Sequence, residues 1–250
     1  MGKVIAVALQ KGGVGKTSTA LAIAGILGVN HKVLLIDMDS QANSTYASGI
    51  DGMEYTITDV LAEECPIEKA VIKCKRYDLL AADGFLTNVE MAAVQPTMLK
   101  DAIKNIRRKY DYIIIDTPPA LGNLSINALT ASDFVLIPTE TRPLAFTGLT
   151  AMLDTIRQVK ERFNPKLKIL GILLVRYNDR TNLNKNFKEM LEDFCKRNVI
   201  FLFSTPVHDS VAVPESQAMQ QPLIDYAPHS KPCEDYIKIA NQIIKIVGGK

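Results

Sequence analysis

The chain is poor in the residues that would build a metal or redox centre. It has four cysteines, Cys65, Cys74, Cys195 and Cys233, and no CxxC pair among them, which excludes a zinc knuckle or a dithiol motif and leaves ordinary reduced thiols. The three histidines, His31, His208 and His229, lack metal-ligand spacing and read as structural or surface residues. No apolar run reaches the roughly 18–20 residues that a membrane span needs. The apolar start, Met1 to Leu9, is too short for a secretory h-region and runs straight into glycines, so a reduced, cytoplasmic protein is expected. Charge of one sign is also missing: the net charge is +2, so any contact with nucleic acid must come from a local patch. There is no low-complexity linker and no internal repeat, and residues 1–250 are read as a single domain. Three residues precede the first predicted strand, so no helix-turn-helix reading head is expected there.

What is present is an alternation of two patterns, with 47% hydrophobic residues to build a core. Nearly continuous apolar runs at Val4–Leu9, Lys32–Ile36, Tyr112–Asp116, Phe134–Pro138 and Leu167–Val175 predict strands covered on both faces. Asp78–Ala81 and Val199–Phe203 are further strand candidates. Between them Thr17–Leu27, Pro96–Lys109, Leu144–Phe163 and Asn182–Lys196 predict helices, as does the last segment, Cys233 to Val247. Repeated βαβ units predict an α/β fold of three layers, a mostly parallel twisted sheet with helices on both faces.

The first strand runs into Lys11-Gly12-Gly13-Val14-Gly15-Lys16-Thr17-Ser18 and then a helix, which is the context of a phosphate-binding P-loop. Glycines let backbone N–H groups converge on phosphate oxygens, and the helix N-terminus adds a favourable dipole. Lys16 can reach the β- and γ-phosphates and the Thr17 hydroxyl can ligate Mg²⁺. The usual first glycine of such a loop is replaced by Gln10, and a second lysine, Lys11, opens it. Asp37 and Asp39 leave the second strand two residues apart and can point to one side. Their bland role is to cap the loop that follows. Asp116 ends a strongly apolar strand, where a carboxylate is costly unless a cation or its water shell compensates it. Pro118 and Pro119 then stiffen the next loop, which could sense a γ-phosphate.

KGGVGKTS is a deviant Walker A motif, and with it the chain resembles the ParA/MinD family of P-loop ATPases. LLIDMDSQAN (34–43) resembles the family's second motif and YIIIDTPPALG (112–122) its Walker B. SINALTASDFVLIP (125–138) resembles the partition ATPases of the ParA/Soj branch. The resemblance implies a P-loop NTPase fold, ATP and Mg²⁺ as ligands, and a nucleotide-sandwich homodimer. In that dimer Lys11 would reach the partner's phosphates, with Lys16 and Asp39 completing the catalytic set and Asp39 orienting the attacking water. Gly12, Gly13, Val14, Gly15, Lys16, Thr17 and Ser18 would hold the phosphates, Pro206 would lie near adenine, and Thr17, Asp37 and Asp116 would serve the metal. A ParB-like partner would trigger hydrolysis, and the protein would be nucleoid-associated.

Residues 156–197 carry eleven Lys/Arg against five Asp/Glu, which predicts a local anionic partner. By resemblance Arg180 is a non-specific DNA contact, assisted by Lys185 and Lys188, through phosphates rather than bases. There are departures from the family: Thr205-Pro206-Val207-His208-Asp209 stands where relatives carry an Ile-Pro-Arg segment, and Arg176 replaces a typically neutral residue near the adenine pocket. Two alternative readings are a membrane-associated positioning ATPase like MinD, for which the last helix would be an amphipathic anchor, and a nucleotide-gated scaffold with negligible turnover. The broad apolar stripe of that helix predicts packing on the core instead of insertion, and no membrane contact. A nitrogenase-reductase-like role is not expected from these cysteines.

Overall fold

The computed structural model describes residues 1–92, 95–142 and 144–248. In chain order the first half comprises β1 (Lys3–Val7), α1 (Lys16–Leu27), β2 (Val33–Asp37), α2 (Asn43–Ala47), α3 (Ile57–Leu61), α4 (Ile67–Ala70), β3 (Val71–Lys73), β4 (Asp78–Leu80), α5 (Leu86–Met91) and α6 (Met98–Ile103). Then follow β5 (Tyr112–Asp116), α7 (Asn123–Ala131), β6 (Phe134–Thr139), α8 (Ala145–Arg162), β7 (Lys168–Leu174), α9 (Asn182–Asn198), α10 (Ala212–Ala218), α11 (Leu223–Tyr226) and α12 (Lys231–Gly248).

The strands form one seven-stranded sheet in the order β3-β4-β2-β5-β1-β6-β7. All neighbours are parallel except β3 and β4. Because side chains alternate across a strand, each central strand feeds two cores. Val4, Ala6, Leu34, Ile36, Ile113 and Ile115 enter one. Ile5, Val7, Val33, Leu35, Tyr112 and Ile114 enter the other. The first core is closed by α3 to α9 and the second by α1, α2 and α10 to α12. This is the expected three-layer arrangement.

Helix α1 is apolar nearly all round, and nine of its residues are buried. A helix of that composition belongs inside the molecule. It packs against α12, whose Tyr236, Ile239, Ile243 and Val247 are buried in the second core. The apolar stripe of the last helix is therefore spent on packing, and Ile246 alone among its isoleucines is a large exposed side chain. No helix among the described residues is long and apolar enough to cross a membrane.

Two sequence expectations change. The predicted helix over Pro96–Lys109 is instead α6 followed by a separate 3₁₀ turn at Arg107–Lys109. Tertiary contacts win there: Gly2 N–H donates to the Arg107 carbonyl at 3.2 Å, and Arg107 Nε donates to Gly2 O at 2.8 Å, which ties the turn to the start of β1. The predicted strand over Val199–Phe203 makes only a single bridge, Leu202 with Ile172. It lies against Gly171, where a Cβ would sit 2.8 Å from Phe201 O, so glycine permits the approach.

Candidate functional site

The strands β1, β2, β5 and β6 end on the same side of the sheet, and the loops after them carry the motif residues. Gly13 and Gly15 have φ of 73° and 77°, a region open to glycine at little cost. Gly15 is the N-cap of α1, so backbone N–H groups of the loop and helix start face one cleft. Lys16 is buried, and its Nζ donates to the Lys11 carbonyl at 2.9 Å. Burial pulls its pKa down while Asp116 and Asp39 pull it up. Lys11 is half-buried at the leading edge of the loop, and its side chain makes no ion pair among the described residues.

Asp37 and Asp116 are the last residues of β2 and β5 and are register partners. Both are fully buried. Burial raises both carboxyl pKa values, and their proximity raises Asp116 further. Their surroundings differ. Asp37 Oδ2 accepts Thr45 N–H and Thr45 Oγ1–H, each at 2.9 Å, and Oδ1 accepts Asp39 N–H at 3.1 Å. Asp37 thus orders the loop into α2, which was its bland alternative. Asp116 Oδ2 accepts the Ser44 hydroxyl at 2.8 Å, whereas Oδ1 is buried without a hydrogen-bond partner. The Lys16 ammonium and the Thr17 hydroxyl already favour the charged form of Asp116, and a buried oxygen without a hydrogen bond beside a second carboxylate leaves a place for a further cation. No cluster of three His, Cys, Asp or Glu among the described residues could cage a metal alone. Mg²⁺ does not need one, because it commonly uses one or two carboxylates and leaves its other positions to water and phosphate. Asp116 and Thr17 offer the hard oxygens it prefers, so the residues fit that ion. Asp39, with Oδ1 accepting Gln41 N–H at 3.0 Å, stands on the cleft wall with Lys16 and Thr17.

The cleft has a volume of about 490 Å³ and is walled by Gly12, Gly13, Gly15, Lys16, Thr17, Ser18, Asp39 and Pro119 among others. A second cavity of about 360 Å³ adjoins it, walled by Val175, Arg176, Val207, His208, Ser210 and Gln217 among others. Gly15, Ser18, Arg176 and Gln217 belong to both walls. Phosphate cleft and second cavity are therefore neighbours with these four residues as a common wall, where Gln217 Nε2 donates to Ser18 Oγ at 2.8 Å. Of the expected nucleotide-binding set, Val14 is buried under the loop in the first core, and Pro206 is not on the second cavity's wall. Its neighbours Val207 and His208 are, because Val207 N–H donates to Leu174 O at 2.8 Å and turns this segment along the end of β7.

Sequence reading missed Glu140. It directly follows the strongly apolar strand β6, as Asp116 closes β5, so a similar signal was available. Its side chain is 6% exposed, with Arg142 Nε at 2.7 Å from one carboxylate oxygen and Arg176 Nη1 at 3.4 Å from the other.

The DNA candidates lie apart from the cleft floor. Arg180 is exposed in the loop after β7, with its N–H donating to Asn178 Oδ1 at 3.0 Å. Thr181 caps α9, and Lys185 is exposed and Lys188 half-buried on its first turns. The basic surplus of residues 156–197 is not one patch. Lys160, Arg162, Lys166 and Lys168 lie where α8 ends and β7 begins, and Lys196 and Arg197 lie where α9 ends. The seventeen residues of α9 put roughly 25 Å between them and Arg180, at 1.5 Å per residue. Of these, Lys160, Arg162, Lys196 and Arg197 lie in last helical turns and complement helix C-termini.

A family model described as an AAA domain matches residues 2–169. The sporulation initiation inhibitor protein Soj of Bacillus subtilis is 37% identical over 97% of this chain and 98% of its own. The chromosome partitioning protein ParA of Myxococcus xanthus is 36% identical over 98% of this chain and 89% of its own. Among solved structures, cobyrinic acid a,c-diamide synthase of Mycobacterium smegmatis with bound ADP and magnesium superimposes with a TM-score of 0.86 at 30% identity, covering 100% of this chain and 96% of that one. With a deviant P-loop carrying two lysines, carboxylates ending β2 and β5, and relatives of this extent, the chain belongs to the ParA/MinD family of P-loop ATPases.

Proposed function

We propose that this protein is a partition ATPase of the ParA/Soj type that hydrolyses ATP with Mg²⁺ between two copies of itself. The observation that carries the reading is a P-loop cleft walled by Lys16 and Asp39, with Asp116 near enough to act on the charge of Lys16, the Lys11 carbonyl holding the Lys16 ammonium, and a second cavity alongside. Gly12, Gly13, Gly15, Thr17 and Ser18 supply the phosphate cradle, and Thr17 and Asp116 would hold Mg²⁺. When bound, the ion would supply charge neutralisation at the phosphates. Asp37, already engaged by three donors, keeps the loop in place rather than ligating directly. Asp39 orients the attacking water. Lys16 offsets charge on its own nucleotide, and Lys11 extends to the partner's, so charge stabilisation is complete only in the dimer. Phosphoryl transfer needs little else, since positioning and charge stabilisation supply most of the rate.

The whole residues 1–250 act as one domain in this reading. The ATP-bound dimer holds DNA non-specifically through Arg180, Lys185 and Lys188, and a ParB-like partner stimulates hydrolysis and release. The protein is then nucleoid-associated in the cytoplasm. The buried stripe of α12 argues against a MinD-like membrane anchor. The deciding measurement is the ATPase rate with and without plain duplex DNA, together with single-turnover hydrolysis. A rate indistinguishable from buffer in single turnover would leave only a nucleotide-gated scaffold.

A further inference from the structure

Arg176 stands at the junction of the two cavities, on the wall of both. It has a φ of 51°, a backbone region that few residues other than glycine or asparagine adopt without cost. A long side chain thus stands at a position that favours glycine. Its Nη1 donates to the carbonyl of Gly13 in the P-loop at 2.9 Å and approaches Glu140 Oε1 at 3.4 Å. Glu140 is almost wholly buried and shares its other oxygen with Arg142. One carboxylate thus serves two guanidinium groups, and one net positive charge remains at the mouth of the cleft. A guanidinium has five N–H donors. Only Nη1 makes hydrogen bonds among the described residues, so the donors on Nε and Nη2 remain for a ligand in the adjoining cavities.

We propose that Arg176 is a positioning residue for nucleotide binding. It clamps the glycine half of the P-loop to the end of β6 through Glu140, and it presents its remaining donors to the nucleotide where base cavity and phosphate cleft meet. The inference rests on the ATP reading above and adds to it a residue outside the loop motif. The clamp sets Gly13 before the triphosphate arrives, so its loss weakens binding more than turnover. Both protein contacts leave from a single nitrogen, so a lysine ammonium can replace part of them, although it lacks the fork.

The test compares R176A, R176G and R176K with the wild-type chain, using ATP and a non-hydrolysable ATP analogue with Mg²⁺. Affinity, KM, kcat and the melting temperature without nucleotide are measured. R176G relieves the backbone while removing the side chain, and so separates the two contributions. Expected is a loss of about tenfold in affinity, with KM raised to match, in R176A and R176G, as for a lost hydrogen bond to a charged group. Turnover at saturation should stay within about threefold, the nucleotide-free melting temperature of R176G should not fall, and R176K should recover part of the affinity. Wild-type affinity in R176A and R176G overturns the proposal. So does R176K binding as weakly as R176G, or a fall in the nucleotide-free melting temperature of R176G large enough to account for its weaker binding. No ATP binding by the wild-type chain would instead sink the ATP reading itself, which is a different result from equal affinities.

Discussion

Asp37 and Asp116 end adjacent parallel strands in register, both fully buried, yet the first carboxylate accepts three hydrogen bonds while the second keeps one oxygen without a hydrogen-bond partner. Two buried acids set side by side resist ionisation. This pair links the fold to the chemistry, because the same register that completes the sheet also builds a place for positive charge.

The pair has a pH consequence in the metal-free protein. Its carboxyl pKa values are raised on folding, chiefly by burial. The native state therefore binds more protons than the unfolded chain above about pH 4, the ordinary carboxylate range, and stability falls as pH rises toward neutrality. Melting temperatures in EDTA should drop between about pH 5 and 7.5, where the unfolded acids are already ionised. Asp116→Asn should flatten that slope and abolish Mg²⁺-dependent hydrolysis. An unchanged slope in the variant would show that Asp116 is not the group responsible.

The two lysines of the loop should separate by phenotype. Lys16→Ala removes the buried ammonium that meets the Lys11 carbonyl and should abolish nucleotide binding. Lys11→Ala should leave binding by the monomer within about threefold while cutting turnover by a hundredfold or more, the scale of a lost trans cation. Equal turnover in the Lys11 variant, or its dimerisation with ATP at wild-type affinity and rate, would exclude a lysine crossing between subunits.

DNA affinity should respond to one end of α9 and not the other. Arg180→Ala combined with Lys185→Ala should weaken binding of the ATP-bound form and lower the salt slope by about 2, one for each lost phosphate contact. Lys196→Ala with Arg197→Ala, at the far end of the helix, should leave the slope unchanged. Electrophoretic shifts over a salt series measure both, and the reverse pattern would move the interface to the opposite end of the molecule.

The last helix should behave as core. Ile243 is fully buried, and Ile243→Ala should cost about 2–5 kcal/mol, as for other large-to-small core changes. Tyr236 Oη and Thr19 Oγ1 lie 3.0 Å apart in the interior, and Tyr236→Phe should cost about 1–3 kcal/mol by leaving a buried hydroxyl unsatisfied. Denaturant titration measures both. Removal of the chain after Tyr236 should destabilise the fold, and should not merely release the protein from liposomes.

Much of this was legible in the residues themselves. The long apolar runs marked five of the seven strands, because a strand buried on both faces leaves no polar side to disguise it, and the shorter run Asp78–Ala81 marked β4. Glycine and lysine placement marked the phosphate loop, because only glycine accepts the φ values at Gly13 and Gly15 cheaply. Where the chain follows a distant partner rather than its own pattern, reading failed. Arg107 is drawn out of helix by Gly2, and Val199–Phe203 is limited to one bridge beside Gly171. The site divides in the same way. Lys11, Lys16, Thr17, Asp39 and Asp116 carry motif signals, while Glu140 and the grip of Arg176 on Gly13 join residues far apart in the chain.

The amino-acid order alone determined the layer architecture, the loop chemistry and the family, since period, glycine spacing and buried charge are local properties. Only the tertiary structure decided which of two similar aspartates keeps an oxygen without a partner, that a run of basic residues splits between opposite ends of the molecule, and that the last helix meets α1 through Tyr236, Ile239, Ile243 and Val247. Each of these depends on what a side chain meets across the fold, and hydrogen bonding, burial and charge proximity are set by those meetings.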